Sequence, residues 1–247
     1  MDRMLFLAMT GAKHVAWQQA TTAHNLANVN TNGYKADQVA FRALPVVGEG
    51  TPTRTYVVDN TVGHDLSQGS LQQTGNPTDF ALASAGFFAV QAPGGQEAYT
   101  RDGGFVVDAN GLMRTRSGLP ILGDGGPITV PANSAIEIGQ DGTVIATPQT
   151  GQDRVPQIAG QIKLVNPGAR EVYKGEDGLF RLSAGGAAPA DPNVRLVGGA
   201  LEASNVNAVD SLVQMIAHGR QFDLNMKLMQ TADQNEQRAT QILSMNG

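Results

Sequence analysis

The chain has 247 residues, a formal charge of −5 from 17 basic and 22 acidic side chains, and no cysteine. The missing cysteine excludes a disulfide framework, a thiolate metal site, an iron–sulfur cluster and a cysteine nucleophile. The mildly acidic balance leaves no broad field to attract nucleic acid or anionic lipid, and with charged residues at 16% the chain is not disordered by self-repulsion.

Nothing approaches eighteen consecutive apolar residues, so no membrane span is expected. Met1 to Met9 is too polar, and its apolar run too short, for a secretory leader. A route out of the cytoplasm would therefore dispense with a cleaved signal. All 12 prolines lie between Pro45 and Pro192, and of the 30 glycines only Gly11, Gly33, Gly219 and Gly247 lie outside residues 36–200. Proline breaks helices and glycine weakens them, so the two ends are free to be helical and the middle is not.

The N-terminal stretch carries a stripe at Met1, Leu5, Ala8, Ala12, Val15, Gln19, Thr22 and Leu26. Alternating steps of four and three make this a heptad seam on an amphipathic helix, with Gln19 and Thr22 as polar interruptions. Asn30-Thr31-Asn32-Gly33 is a cluster of turn formers, so the helix is expected to end near Asn28. In the middle, Thr53–Val58 alternates like a strand. Gly86–Gln91 and Ala98–Arg101 flank Pro93-Gly94-Gly95 as a hairpin, and Phe105–Met113 carries a turn at Asn110-Gly111. Further short strands are expected at 119–122, 127–130, 135–138, 143–146, 161–165, 179–182 and 194–197, spaced as in a β-sandwich or barrel.

The C-terminal stretch carries a second stripe: Leu212, Met215 or Ile216, Gly219, Phe222, Met226, Met229, and Ala232 or Asp233, running on toward Ile242 and Leu243. Ser204 or Asn205 is the expected N-cap, with Asp210 favourable near the helix start. Such a helix of about 38 residues spans roughly 57 Å. An amphipathic helix gains little without a packing partner. The expected fold is therefore a mainly β middle domain inserted between N- and C-terminal α-helices that pair as a coiled coil. Its divisions are a helix at 1–33, an extended connection at 34–75, a β-rich domain at 76–200 and a second helix at 201–247. Both seams are weak, so the pair should be ordered only when other copies or partners cover it.

The sequence offers little for catalysis. His14, His24, His64 and His218 form no metal-ligand spacing, and Gly123-Asp124-Gly125-Gly126 is a turn before a strand, not a phosphate loop. Asp102 to Gly111 lacks the spacing of a calcium loop. A β-rich glycan-acting enzyme using Asp79 and Asp102 is an alternative without support from spacing. A coiled-coil adhesin or secreted filament subunit is another. No cofactor and no metal are expected.

Two segments carry a family resemblance. Ala23-His24-Asn25-Leu26-Ala27-Asn28-Val29-Asn30-Thr31-Asn32-Gly33-Tyr34-Lys35 resembles the N-terminal signature of bacterial flagellar axial proteins, N-L-A-N-x-x-T-x-G-[YF]-[KR]. Leu201-Glu202-Ala203-Ser204-Asn205-Val206-Asn207 resembles their C-terminal L-E-x-S-N-V. Met215-Ile216-Ala217-His218-Gly219-Arg220-Gln221-Phe222-Asp223 is similar to their M-I-x-x-x-R-x-[FY]-[DE]. The length suits rod proteins of intermediate size. Asp79–Leu82, Tyr99–Phe105 and Leu119–Gly123 are similar in style to both the proximal and distal rod types. The Met1-Asp2 start, Gly125–Pro131 and Leu243-Ser244-Met245 look more like the proximal type.

The resemblance implies a structural, non-enzymatic subunit of the flagellar basal-body rod, in the periplasm, transmitting torque from motor to hook. A distal-type subunit is the alternative. It implies as partners other rod proteins, copies of itself and the flagellar type III export apparatus, with no nucleic acid and no direct membrane insertion. Subunit contacts are expected at the stripe residues Leu5, Val15, Leu26, Leu212, Ile216, Phe222 and Met226. They are also expected at the signature residues Asn25, Asn28, Thr31, Gly33, Tyr34, Lys35, Leu201, Glu202, Ser204, Asn205, Val206 and Arg220. Asn25 and Asn28 are expected inside the helix and to bond between subunits, whereas Asn30 and Asn32 serve the turn.

Overall fold

The computed structural model describes residues 2–45, 55–131, 133–149 and 155–245. Met1, Thr53 and Arg54, and the side chains of Ile242 and Leu243, lie outside that description. The chain divides into two compact units. One comprises residues 1–27, 37–63 and 207–247, and the other residues 28–36 and 64–206.

The first unit is built on two helices, α1 (Asp2–Ala27) and α2 (Ala208–Met245), which lie against each other. A Cβ on Gly11 of α1 would meet the Asn225 amide of α2 at 3.1 Å, so the helices approach closely there. α1 turns inward the residues of the expected stripe: Ala8, Ala12, Val15 and Thr22 are buried, and Gln19 and Leu26 are half-buried. The helix stops as expected at the turn formers, where the Thr31 N–H donates to the Asn28 carbonyl at 3.1 Å. Asn28 lies just past the helix, not within it. α2 is capped by Asn207, whose side-chain oxygen accepts from the N–H groups of Val209 at 2.9 Å and Asp210 at 3.3 Å. Ser204 and Asn205, the expected caps, are engaged upstream of the helix. β1 (Asp37–Pro45) packs on α1 and pairs with β2 (Thr55–His64), where the alternating segment beginning near residue 53 continues.

The second unit is β-structure. Its strands are β3 (Leu71–Gln73), β4 (Phe80–Leu82), β5 (Phe87–Gln91), β6 (Glu97–Thr100), β7 (Phe105–Val107), β8 (Met113–Thr115), β9 (Leu122–Gly123) and β10 (Gly126–Pro127). They continue with β11 (Ser134–Ile138), β12 (Thr143–Pro148), β13 (Gln157–Gln161), β14 (Leu164–Val165), β15 (Val172–Lys174), β16 (Phe180–Leu182), β17 (Leu196–Gly198) and β18 (Ala200–Glu202). Among the described residues the largest sheet has the order β14-β5-β6-β16-β15, open and not closed into a barrel, and β11-β12-β13 forms a three-stranded sheet. The hairpins β5–β6 and β7–β8 turn at the predicted Pro93-Gly94-Gly95 and Asn110-Gly111. The main apolar cluster includes Phe80, Leu82, Phe88, Phe105, Met113, Ile121, Val144 and Ile162, and a second gathers Phe87, Tyr99, Val165 and Phe180.

Two short pairings bring distant segments together. β18 runs antiparallel to β3, with Glu202 opposite Leu71, and β17 runs antiparallel to β4. The last strands of the unit thus close onto its first ones, and this places the two terminal signatures side by side.

Candidate functional site

Within the β unit the signature residues converge on one carboxylate. Glu202 Oε1 accepts from Lys35 Nζ at 2.6 Å and from the Gly69 N–H at 3.0 Å, while Oε2 accepts from Arg101 Nε at 2.8 Å. The three charged side chains are 0%, 0% and 2% exposed for Lys35, Glu202 and Arg101. Lys35 Nζ also donates to the Ser67 carbonyl at 2.6 Å, and the Arg101 guanidinium donates to the carbonyls of Ser84 and Gly86 at 3.0 and 2.9 Å. Every charge thus has a counter-charge and further hydrogen bonds, the condition under which buried ions are tolerated. Burial holds the Lys35 ammonium below its usual pKa, against the opposing pull of Glu202.

The backbone around this carboxylate is just as tightly bound. Gly33 N–H donates to the Glu202 carbonyl at 2.8 Å. Gly33 has φ +67, and a Cβ there would sit 2.4 Å from the Arg101 carbonyl carbon, so glycine is required on both counts. A Cβ on Gly69 would fall 2.0 Å from the Ala203 oxygen. The Asn205 amide accepts from Ala36 N–H at 2.8 Å and donates to the Asp65 and Ser67 carbonyls at 2.8 and 3.2 Å. Lys174 Nζ lies 3.9 Å over the Tyr34 ring and donates to the Lys35 carbonyl at 3.1 Å.

In the helical unit, Asn25 serves the chain's own backbone. Its amide donates to the Asp37 carbonyl at 2.9 Å and accepts the Asp37 N–H at 2.8 Å, and His24 Nδ1 sits 2.8 Å from the Asp37 carboxylate. The start of β1 is thereby tied to the last turn of α1.

The expected contact residues fall into two sets. Gly33, Tyr34, Lys35, Leu201, Glu202 and Ser204 are buried inside the β unit, and Asn205 and Val206 are half-buried there. With Asn25, they bond and pack within one chain. Asn28 accepts from the exposed Thr31 hydroxyl at 3.2 Å in a local turn. The other set lies on the helices. Val15 is buried, and Leu26 and Phe222 are half-buried. Leu5, Leu212, Ile216, Arg220 and Met226 are exposed.

Of the expected α2 stripe, Met215, Gly219, Phe222, Met229 and Ala232 are buried or half-buried, whereas Leu212, Ile216 and Met226 are exposed. The inward positions of α2 are Ala208, Ser211, Met215, His218, Phe222, Asn225, Met229 and Ala232, each buried or half-buried and spaced by threes and fours. Val209, Leu212, Val213 and Ile216 lie on the opposite face, and Ile216 is 59% exposed. α2 is apolar on both sides.

Sequence reasoning missed Arg101, Ser67, Gly69, Asp37 and Lys174. Lys35 and Glu202 are 167 positions apart, and no local pattern reports such a pairing. Of the enzyme alternative's pair, Asp79 is buried and bound to Arg116 at 2.6 Å, while burial raises the pKa of Asp102, opposed by the Gly104 N–H. Among the described residues no cluster could hold a metal ion, and no helix is long and apolar enough to cross a membrane.

The helix–β–helix order and the joined signatures define a protein of the flagellar axial class. Three family descriptions match in chain order: "Flagella basal body rod protein" over residues 6–35, "Flagellar hook protein FlgE/F/G D1 domain" over 81–146 and "Flagellar basal body rod FlgEFG protein C-terminal" over 197–242. Lys35, Arg101 and Glu202 each fall in a different one of these matches. The chain belongs to the flagellar basal-body rod protein family, whose members are structural components of the rod and not enzymes. It is 43% identical to the flagellar basal-body rod protein FlgF of Salmonella typhimurium and to that of Escherichia coli, over the full length of both chains in each case. It is 34% identical to the flagellar basal-body rod protein FlgG of Buchnera aphidicola, over 96% of this chain and 98% of that one.

Proposed function

We propose that this chain is a building block of the proximal rod and that α1 and α2 pair as a coiled coil whose outer apolar face packs on neighbouring rod subunits. The observation that carries this reading is the doubly apolar α2. One face, centred on Met215 and Phe222, lies toward α1, and the other exposes Val209, Leu212, Val213 and Ile216 to solvent. A helix with two opposed apolar faces that buries only one against its own chain offers the other to a further partner. The likeness to FlgF proteins over the full length favours the proximal type, and the lower identity to FlgG makes the distal type the second reading. In this reading the subunit passes through the flagellar type III export apparatus, assembles in the periplasm and transmits torque from motor to hook.

The test uses the absence of native cysteine, which makes any introduced thiol unique. A single cysteine at Val213 or Ile216 should form cross-links to neighbouring subunits in isolated basal bodies, and a cysteine at Ala12 on the inner face should not. Cross-linking at Ala12 with none at Val213 or Ile216 would overturn the proposed packing face.

A further inference from the structure

The apolar clusters of the β unit include none of the residues 33–36, 67–73 or 200–206. Those three segments bury Tyr34, Ala200 and Leu201 outside these clusters and are joined to one another by polar groups. Gly33 and Gly69 donate to Glu202, Ala203 N–H donates to the Ser70 carbonyl, Asn205 N–H donates to the Tyr34 carbonyl, and Ala36 N–H donates to the Asn205 side chain. Their charged links to the rest of the β unit are Arg101, which bonds both to Glu202 and to the carbonyls of Ser84 and Gly86, and Lys174, which bonds the Lys35 carbonyl.

We propose that residues 33–36, 67–73 and 200–206 form one cooperative clasp, closed by the Lys35–Glu202–Arg101 triad, that opens as a unit while the β core stays folded. The argument is electrostatic. The carboxylate of segment 200–206 serves two buried cations, and the segment also accepts from the Gly33 and Gly69 N–H groups, so its withdrawal strands both cations and strips partners from the other two segments. The three segments are therefore released together when 200–206 leaves. The core does not follow, because it is held by apolar clusters that the clasp does not enter.

The charge count makes the clasp asymmetric. Glu202→Gln leaves two cations without an anion and turns an amide N–H₂ toward a donor. Lys35→Met leaves a neutral Arg101–Glu202 pair. Amide hydrogen exchange on the full-length protein tests this. In Glu202→Gln the amides of Gly33, Ala36, Gly69, Ala203 and Asn205 should all exchange faster by one common factor, roughly a hundredfold to a thousandfold. The core amides of Ala89, Met113 and Ile121 should keep their parental rates. Lys35→Met should accelerate the same five amides by a smaller common factor, and it stands as the test if Glu202→Gln does not fold. Acceleration confined to Gly69, unequal factors among the five, or equal acceleration of the core amides would overturn the proposal.

Discussion

Tyr99 shows how a single buried group sets a property of the whole β unit. Its ring is fully buried, its hydroxyl donates to Glu97 Oε1 at 2.9 Å, and its oxygen accepts the Ala188 N–H at 2.7 Å. Burial pushes its pKa from 10.0 up to about 12. The unfolded chain therefore releases this proton first, and the stability that Tyr99 contributes is complete below pH 10 and lost as pH rises toward about 12. Lys35 acts in the opposite sense. Its lowered pKa means that the folded state sheds a proton before the unfolded one, so stability rises with pH up to the ordinary value of 10.5. Tyr99→Phe isolates the first effect. Denaturant unfolding at a series of pH values should show the variant less stable at neutral pH by about 1–3 kcal/mol, because the Ala188 N–H loses its acceptor. The gap should narrow between pH 10 and 12, and a constant gap across that range would contradict the account. None of this was legible in the sequence, where Tyr99 stood in an expected hairpin strand and a resembling segment. Its partner Ala188 is far away along the chain, as is Lys163, which reaches Glu97 at 2.8 Å.

At the scale of the element, both helices turn most of the expected stripe inward, and the exposed exceptions are Leu5 on α1 and Leu212, Ile216 and Met226 on α2. α1 has a stripe of small residues at Ala8, Ala12 and Val15, and these pack inward. In α2 the largest apolar groups were assigned to the inner seam, yet the inner positions are mostly small or polar, such as Ser211 and Asn225, and Leu212 and Ile216 point away. Periodicity defines a stripe but cannot say which of two apolar stripes faces the intramolecular partner. The choice between Met215 and Ile216 was open in the sequence, and the structure resolves it in favour of Met215. Helical circular dichroism during thermal unfolding of the isolated protein separates the two faces. Met215→Asp should destabilise the helical unit by roughly 1–3 kcal/mol, since it sets a charge at a half-buried position. Ile216→Asp, on the exposed face, should stay within about 0.5 kcal/mol of the parent. Equal losses would place both residues in the inner seam.

Across the whole molecule, the broad plan of helix, β-structure and helix was readable from where proline and glycine fall, and the terminal signatures were readable as motifs. Why those signatures stand at opposite ends was not. Gly33, Lys35, Glu202 and Asn205 close the β unit on itself through bonds between positions far apart in the chain, which no local pattern reports. In the proposed function this chain is a rod subunit that assembles through the outer face of α2. The most direct measurement is electron microscopy of basal bodies from its native bacterium. The gene would be deleted and then replaced by the parent or by Ile216→Asp. The parent should restore hooks, whereas the deletion and Ile216→Asp should give basal bodies without them, although the variant chain is made. Hooks in the deleted strain would contradict the rod assignment, and hooks in the Ile216→Asp strain would contradict assembly through that face.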